Sequence, residues 1–185
     1  MAVTGLDGWA DVTATLVAPT TSAGANRKQI YDIEYGNASG NVQLPTAVTI
    51  GGVTPTFEGG VALGTTQAGT AACQLSMNEA QLAAMVGSAI VVTGGSFSRR
   101  VISTRSIQDT AQTVSTNSNY YSSGATNVAS GAVSLTRVAN SYTIAQVHCM
   151  LLTTATMVDP ARVTTFSTAG SRVSIGGSTD TARTV

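Results

Sequence analysis

Residues 30–35 read IYDIEY, and this stretch decides the fold class. Its large hydrophobic side chains, Tyr31, Ile33 and Tyr35, alternate with the carboxylates of Asp32 and Glu34. Alternation with a period of two is typical of a β-strand that buries one of its faces. We therefore predict a strand here, with the tyrosine face in a core and the acidic face in water.

The same alternation recurs along the chain and predicts about ten short strands. These predicted strands cover residues 11–17, 30–35, 42–44, 47–50, 53–57, 89–93, 100–107, 131–138, 141–152, 162–166 and 172–175. Gly51 and Gly52 can supply the positive φ that a two-residue hairpin turn needs, and Gly59 and Gly60 are predicted to close the next corner. Short strands with such corners indicate an all-β fold, an antiparallel two-sheet sandwich of jelly-roll type.

One short helix is predicted near residues 77–86. Ser76 and Glu79 have the spacing of a capping box, Leu82 and Met85 follow at helical spacing, and Gly87 can end the helix in the left-handed conformation. A chain of 185 residues fits a single domain spanning residues 1–185. The low-complexity segment 115–127 is interpreted as a long crossover loop inside it.

The composition is poor in charge. Only 10% of the residues are charged, against about 25% in an ordinary soluble domain. Nine basic residues balance nine acidic ones, and Lys28 is the only lysine, so the sequence argues against a nucleic-acid partner. A surface without net charge is poorly protected against self-association, so we expect a homo-oligomer or a surface covered by other proteins.

No hydrophobic stretch is long enough to span a bilayer, and the first residues lack the pattern of a signal peptide, so we expect synthesis in the cytosol and no membrane partner. Cys73 and Cys149 stand singly in hydrophobic, strand-like surroundings. We interpret them as buried reduced thiols, with a disulfide as the alternative.

Catalytic candidates are few. His148 is the only histidine, and neither a nucleophile elbow nor a nearby orienting carboxylate accompanies it, so it is interpreted as a strand residue covered by a neighbouring sheet or subunit. Asp32 and Glu34 are the only acidic pair on one strand face, which is more typical of a soluble edge than of a glycosidase. We predict that the protein is not an enzyme and uses no cofactor.

Three further groups of residues have more than one functional interpretation. Asp7 and Asp11 could share a calcium ion, although the preferred prediction is no metal site, and Trp9 between them is interpreted as a packing anchor. Tyr120 and Tyr121 lie together in a polar loop and are the candidate binding or interface residues, the alternative being that one faces the core. The arginines in and next to the predicted strand at 100–107 are interpreted as an outward strand face or an interface contact; they are Arg99, Arg100 and Arg105.

The region from residue 25 to residue 106 resembles a β-sandwich module of phage virion proteins and bacterial surface proteins. The resemblance lies in Asn26 and Arg27 followed by QIYDIEY, in VTIGGVTPT at residues 48–56, and in VISTRS at residues 101–106. It implies a noncatalytic structural protein of a tailed-phage particle, made in the host cytoplasm and located in the virion.

Within such a particle we expect a capsid decoration or cement protein that binds the major capsid protein, or other virion proteins, and its own copies. A tail or fibre component is one alternative. A carbohydrate-binding module with a glycan ligand is another, and it would use Tyr120, Tyr121 or Trp9.

Overall fold

The computed structural model describes residues 3–8, 10–37, 43–64, 69–95, 97, 99–113, 142–148, 163–166 and 172–178. These residues form antiparallel strands and one short helix, which confirms the all-β class. In chain order the elements are β1 (Thr4–Gly5), β2 (Ala10–Asp11), β3 (Lys28–Asn37), β4 (Ala47–Ile50), β5 (Thr56–Gly64), β6 (Gly69–Asn78), α1 (Glu79–Ala84), β7 (Ile90–Thr93), β8 (Arg99–Gln108), β9 (Tyr142–His148), β10 (Val163–Phe166) and β11 (Arg172–Ser178). Within these ranges no helix combines the length and hydrophobicity needed to cross a membrane.

The described strands form three antiparallel sheets. The largest has six strands in the order β1-β8-β3-β6-β5, with β2 also pairing with β8. The second consists of β4 and β7, and the third has the order β10-β11-β9. Strand β3 is therefore central, with β8 on one side and β6 on the other along most of its length.

The core lies on the tyrosine face of β3, as the alternation predicts. Tyr31, Ile33 and Tyr35 are buried there, and the neighbouring strands β6 and β8 add Cys73, Leu75, Met77 and Ile102. The two-stranded sheet covers this face, because Val48, Ile50 and Ile90 belong to the same buried cluster. Hydrophobic side chains from both sheets thus leave water together.

The prediction of a wet acidic face on β3 is wrong. Asp32 is 0% exposed and Glu34 is 6% exposed. Alternation separates the two faces of a strand, but it does not reveal whether the strand is central or whether its second face is covered. Here the second face is also buried, and it is polar.

The Gly51 and Gly52 turn is confirmed. Both residues have positive φ, 56° and 80°, and the flanking Ile50 and Val53 exchange two backbone hydrogen bonds of 2.8 and 3.0 Å. The predicted strand at 53–57 forms only in part, because β5 begins at Thr56. Pro55 lacks a backbone N–H and interrupts the ladder, after which β5 pairs with β6, whereas β4 pairs with β7.

The predicted corner at Gly59 and Gly60 is wrong. Both residues lie inside β5, beside a bulge where the register against β6 shifts between Phe57 and Gly59. A Cβ at Gly60 would lie 2.8 Å from the carbonyl oxygen of Ala72. The glycine therefore serves a close approach between two strands and makes no turn.

The predicted strand at residues 11–17 is wrong beyond its first residue. Strand β2 ends at Asp11, whose Oδ1 accepts a 2.8 Å hydrogen bond from the backbone N–H of Thr13. The N–H of Leu16 then donates to the carbonyl of Val12 over 2.8 Å, which closes a turn. An aspartate that bonds the backbone two residues ahead favours a turn over an extended chain.

The short helix is confirmed, but its capping residues are not those predicted. Helix α1 begins at Glu79, and its N-cap is Asn78, which forms a reciprocal capping box with Gln81. Ser76 belongs instead to β6, because that strand continues to Asn78. The helix ends at Ala84, before Gly87, although Gly87 does have a positive φ of 83°.

Predicted strands at 47–50, 89–93 and 100–107 correspond to β4, β7 and β8. Those at 141–152 and 162–166 contain β9 and β10, and the one at 172–175 covers only the first four residues of β11. The predicted strand at 131–138, the crossover loop at 115–127 and residue 42 lie outside the described residues.

Candidate functional site

The outer face of the two-stranded sheet carries no charged residue. In both β4 and β7, side chains alternate between the core and the outside, so Ala47 and Thr49 of β4 and Val91 and Thr93 of β7 point outward. The chain before β3 extends this face, because Val17 forms a bridge with Ala89 just before β7. We define the outer valine face as these six residues.

Several hydrophobic side chains of this region are well exposed. Val17 is 47% exposed and Val91 is 53% exposed. Val86 is 88% exposed and lies beside this face. Two backbone hydrogen bonds hold it there: the N–H of Val86 donates to the carbonyl of Gly51, and the N–H of Gly51 donates to the carbonyl of Ala89. Exposed hydrophobic groups that cluster on one surface mark a site of contact with other molecules.

The neutral character of this face has a sequence origin. Residues 12–26, 35–57 and 80–98 contain no Asp, Glu, Lys or Arg. The first of these stretches supplies Val17, the second supplies β4, and the third supplies β7. The fold therefore brings three uncharged stretches together, and depletion of charge is the compositional mark of an interface core.

Charge is concentrated instead on the second face of the six-stranded sheet. Lys28 of β3 donates a 3.0 Å hydrogen bond to Glu58 of β5, and their side chains are only 8% and 2% exposed. Ser76 donates to the same carboxylate oxygen over 2.5 Å, and Lys28 also donates to the carbonyl of Thr113 over 2.6 Å. This cluster joins three strands and the chain that follows β8.

A cavity of about 150 Å³ lies at one end of the core, between β3, β8 and the chain around β1 and β2. Its floor is buried and polar and consists of Gln29, Thr104 and Ser106. Its rim contains the exposed residues Gly8, Pro19 and Thr20, with Asp7, Ala10 and Arg105 completing the wall.

Hydrogen bonds fix the polar groups of this cavity. The Nε2 of Gln29 donates to the carbonyl of Pro19 over 3.1 Å, and its Oε1 accepts from the hydroxyl of Tyr31 over 2.7 Å. Burial raises the pKa of the Tyr31 phenol well above its ordinary value, so this hydroxyl keeps its proton as a donor.

Asp7 is held by Ser22, whose backbone N–H and hydroxyl donate over 3.1 and 2.5 Å. Partial burial acts to raise the pKa of this carboxyl, but the hydrogen bonds from Ser22, together with one from the side chain of Ser106, outweigh it and leave the pKa below its ordinary value. The Asp7 side chain is therefore ionised at neutral pH. Asp11 caps a separate turn, so the two carboxylates that could share a calcium ion have separate local roles.

No group of three or more His, Cys, Asp or Glu side chains that could hold a metal ion occurs in the described part of the chain. Tyr120, Tyr121 and Trp9, the aromatic residues predicted for binding or packing, lie outside the described residues, as does Cys149. Cys73 is a free buried thiol, and burial raises its pKa to about 12.

The other sequence candidates do not come together. His148 ends β9, where its backbone is in register with Arg172 of β11. Asp32 and Glu34 lie on the buried polar face, where Asp32 accepts a 3.0 Å hydrogen bond from Gln74.

Arg100 and Arg105 do not share one outward face of β8. Arg100 and Arg105 are both partly buried and belong to opposite faces of β8. The guanidinium of Arg100 lies 5.6 Å from the ring centre of Phe97, which stacks on Tyr35 at 4.3 Å. Arg100 thus covers an aromatic pair at one end of the core.

Sequence reasoning missed both the outer valine face and the cavity. The uncharged stretches were visible in the sequence, but only the pairing of β4 with β7 places them on one surface. The cavity depends on the register of β3 and β8, which no local pattern specifies.

The chain matches no protein-family model, no curated protein and no solved structure.

Proposed function

We propose that this chain is a noncatalytic structural protein of a tailed-phage particle, a decoration protein that binds the capsid exterior and neighbouring copies of itself. The proposal rests on one observation, the uncharged and partly hydrophobic outer valine face, in a chain with a formal net charge of zero. The resemblance of residues 25–106 to phage β-sandwich modules supports the choice of particle.

A contact of this kind gains free energy by removing hydrophobic surface from water. Threonine and alanine between the valines keep the face neutral, so no charge loses its hydration when a partner covers it. A stable specific contact buries about 1,600 Å² in total, and repetition around a shell multiplies a modest single affinity. The mechanism is thus multivalent packing on a repeating surface.

We propose further that the strands complete a jelly-roll-like sandwich. The packing of the β4 and β7 sheet over the tyrosine face of the six-stranded sheet supports this arrangement. A rigid sandwich suits the role, because a subunit that keeps its shape loses little conformational entropy when it binds.

The test uses the purified chain and empty capsids of the phage whose genome encodes it. We expect the chain to sediment with capsids in a saturable manner and to self-associate in size-exclusion chromatography with light scattering. Val91→Glu places a charge on the outer valine face and should weaken both interactions at least tenfold, since a buried unpaired charge is costly. Ala23→Glu, at an exposed alanine in the loop before β3, is the matched control and should bind like the wild type.

A chain that remains monomeric and sediments with neither capsids nor tails would refute the proposal. Binding to isolated tails but not to capsids would move it to the tail or fibre. Equal binding by Val91→Glu and wild type would show that another surface carries the contact.

A further inference from the structure

The cavity beneath Asp7 has the size and the polar groups of a small ligand site. Its volume of about 150 Å³ is that of a cavity able to enclose a benzene ring, so a ring that carries further substituents would be enclosed only in part. Its buried floor and exposed rim leave it open on one side, so part of a bound molecule could project outward.

One floor residue has a polar atom whose hydrogen-bonding capacity is not fully used. Thr104 is 1% exposed, and within the described part of the chain its Oγ1 makes no hydrogen bond of normal geometry. Its hydroxyl makes a loose hydrogen-bond contact to the hydroxyl of Tyr31, which donates its own hydrogen to Gln29, so the acceptor lone pairs of Oγ1 stay open. A buried hydroxyl without a normal partner costs free energy that a hydrogen-bonding ligand would recover.

The charges around the cavity restrict the ligand. The wall contains one acidic residue, Asp7, and one basic residue, Arg105, so its lining has no net formal charge and favours neither an anion nor a cation. Both oxygens of Asp7 already accept hydrogen bonds from Ser22. One carboxylate so engaged is too little for a metal ion, which needs several oxygen ligands. The floor groups, the Gln29 amide and the Thr104 and Ser106 hydroxyls, are neutral.

Hydroxyl groups on a ligand both donate and accept, so they suit a wall that offers a carboxylate acceptor together with hydroxyl groups of its own. We propose that this cavity binds one neutral sugar ring, either as a free monosaccharide or as the terminal unit of a glycan. The site is separate from the outer valine face and does not depend on the structural role proposed above.

The test is a titration of the folded, full-length chain followed by heteronuclear NMR. The probes are glucose, galactose and N-acetylglucosamine, each with its methyl glycoside and a disaccharide that carries it at the non-reducing end. Sodium acetate and guanidinium chloride at matched ionic strength are the charged probes. We expect saturable shifts for at least one sugar at Gln29, Thr104 and Ser106, and none of comparable size with the charged probes.

Three variants separate a binding role from a structural one. Thr104→Val keeps the shape of the side chain and removes Oγ1, and it should weaken sugar binding about three- to tenfold. Thr104→Ser restores the hydroxyl and should bind like the wild type. Ser103→Ala is the matched control, because it removes an equally buried hydroxyl without a normal hydrogen bond on the opposite face of β8.

Thr104→Val should fold at least as stably as the wild type, since among the described residues the hydroxyl makes no hydrogen bond of normal geometry that could be lost. Tighter binding of the methyl glycoside or disaccharide than of the monosaccharide would identify a glycan terminus as the ligand, and the reverse order would identify a free sugar. Absence of saturable shifts at the highest soluble sugar concentrations would overturn the proposal. So would unchanged affinity in Thr104→Val, or a preference for acetate or guanidinium.

Discussion

The buried pair of Lys28 and Glu58 allows a sharp stability prediction. Replacement of Lys28 by methionine removes the ammonium group and keeps the length of the side chain. The ammonium makes two hydrogen bonds, to Glu58 and to the carbonyl of Thr113. A hydrogen bond that involves a charged group contributes about 1.5–3 kcal/mol, so the two together account for about 3–6 kcal/mol.

That sum agrees with the cost of breaking a buried ion pair from one side, about 3–5 kcal/mol. We therefore expect Lys28→Met to lower the free energy of unfolding by about 4 kcal/mol. The double variant Lys28→Met with Glu58→Gln removes both charges and keeps an acceptor for Ser76. It should be more stable than Lys28→Met alone, since no carboxylate loses its cation.

The assay is urea unfolding at pH 7, followed by far-ultraviolet circular dichroism and linear extrapolation. Glu79→Gln is the matched control, because the Arg27 and Glu79 side chains are 23% and 38% exposed. A partly exposed ion pair contributes about 0–1 kcal/mol, and glutamine keeps an acceptor for the backbone N–H of Arg27, so this control should lose about 1 kcal/mol, well below the loss expected for Lys28→Met. A loss below about 1 kcal/mol for Lys28→Met, or strictly additive effects in the double variant, would refute the reasoning.

Three further predictions concern the turn, the thiol and the pH dependence of stability. Gly51→Ala should lower the free energy of unfolding by at least about 1 kcal/mol more than Gly52→Ala in urea titrations, and equal losses would contradict this. Both glycines have positive φ, but only a Cβ at Gly51 would meet backbone, 2.7 Å from the carbonyl oxygen of Gly87. Burial raises the pKa of Cys73 to about 12, so in a Cys149→Ser variant this thiol should react with iodoacetamide at pH 8 much more slowly in the native protein than in urea. Equal rates in the two states would show that the thiol is accessible in the native protein. The lowered pKa of Asp7 contributes stability that is present above its ordinary pKa of 3.8 and is lost as the pH falls through the lower pKa of the folded state. Ser22→Ala should therefore reduce the loss of stability on acidification, and an unchanged dependence of stability on pH would argue against this linkage.

The central strand illustrates how far local pattern predicts this fold. Alternation identified β3 and its core face correctly, because Tyr31, Ile33 and Tyr35 stand two residues apart. It could not reveal the burial of Asp32 and Glu34, since coverage of the second face depends on distant segments. The same limit applies to the cavity, which only the pairing of β3 with β8 assembles.

Strand β6 was overlooked although its signal was present. Ala71, Cys73, Leu75 and Met77 alternate with smaller or more polar residues and are all buried. Their proximity to the helix start favoured a capping box at Ser76, whereas the strand continues two residues further. A residue typical of helix caps can equally lie inside a strand when its side chain finds a partner elsewhere, and Ser76 donates a hydrogen bond to Glu58.

The burial of Lys28 also determines how the protein can be labelled. Because it is the only lysine in the sequence and is 6% exposed, amine-directed reagents find no accessible ε-amino group on the folded chain. Succinimidyl dyes and amine cross-linkers should therefore leave the side chains untouched until the strands around Lys28 separate. The rate of acylation at Lys28 would then report how often the sheet opens around it.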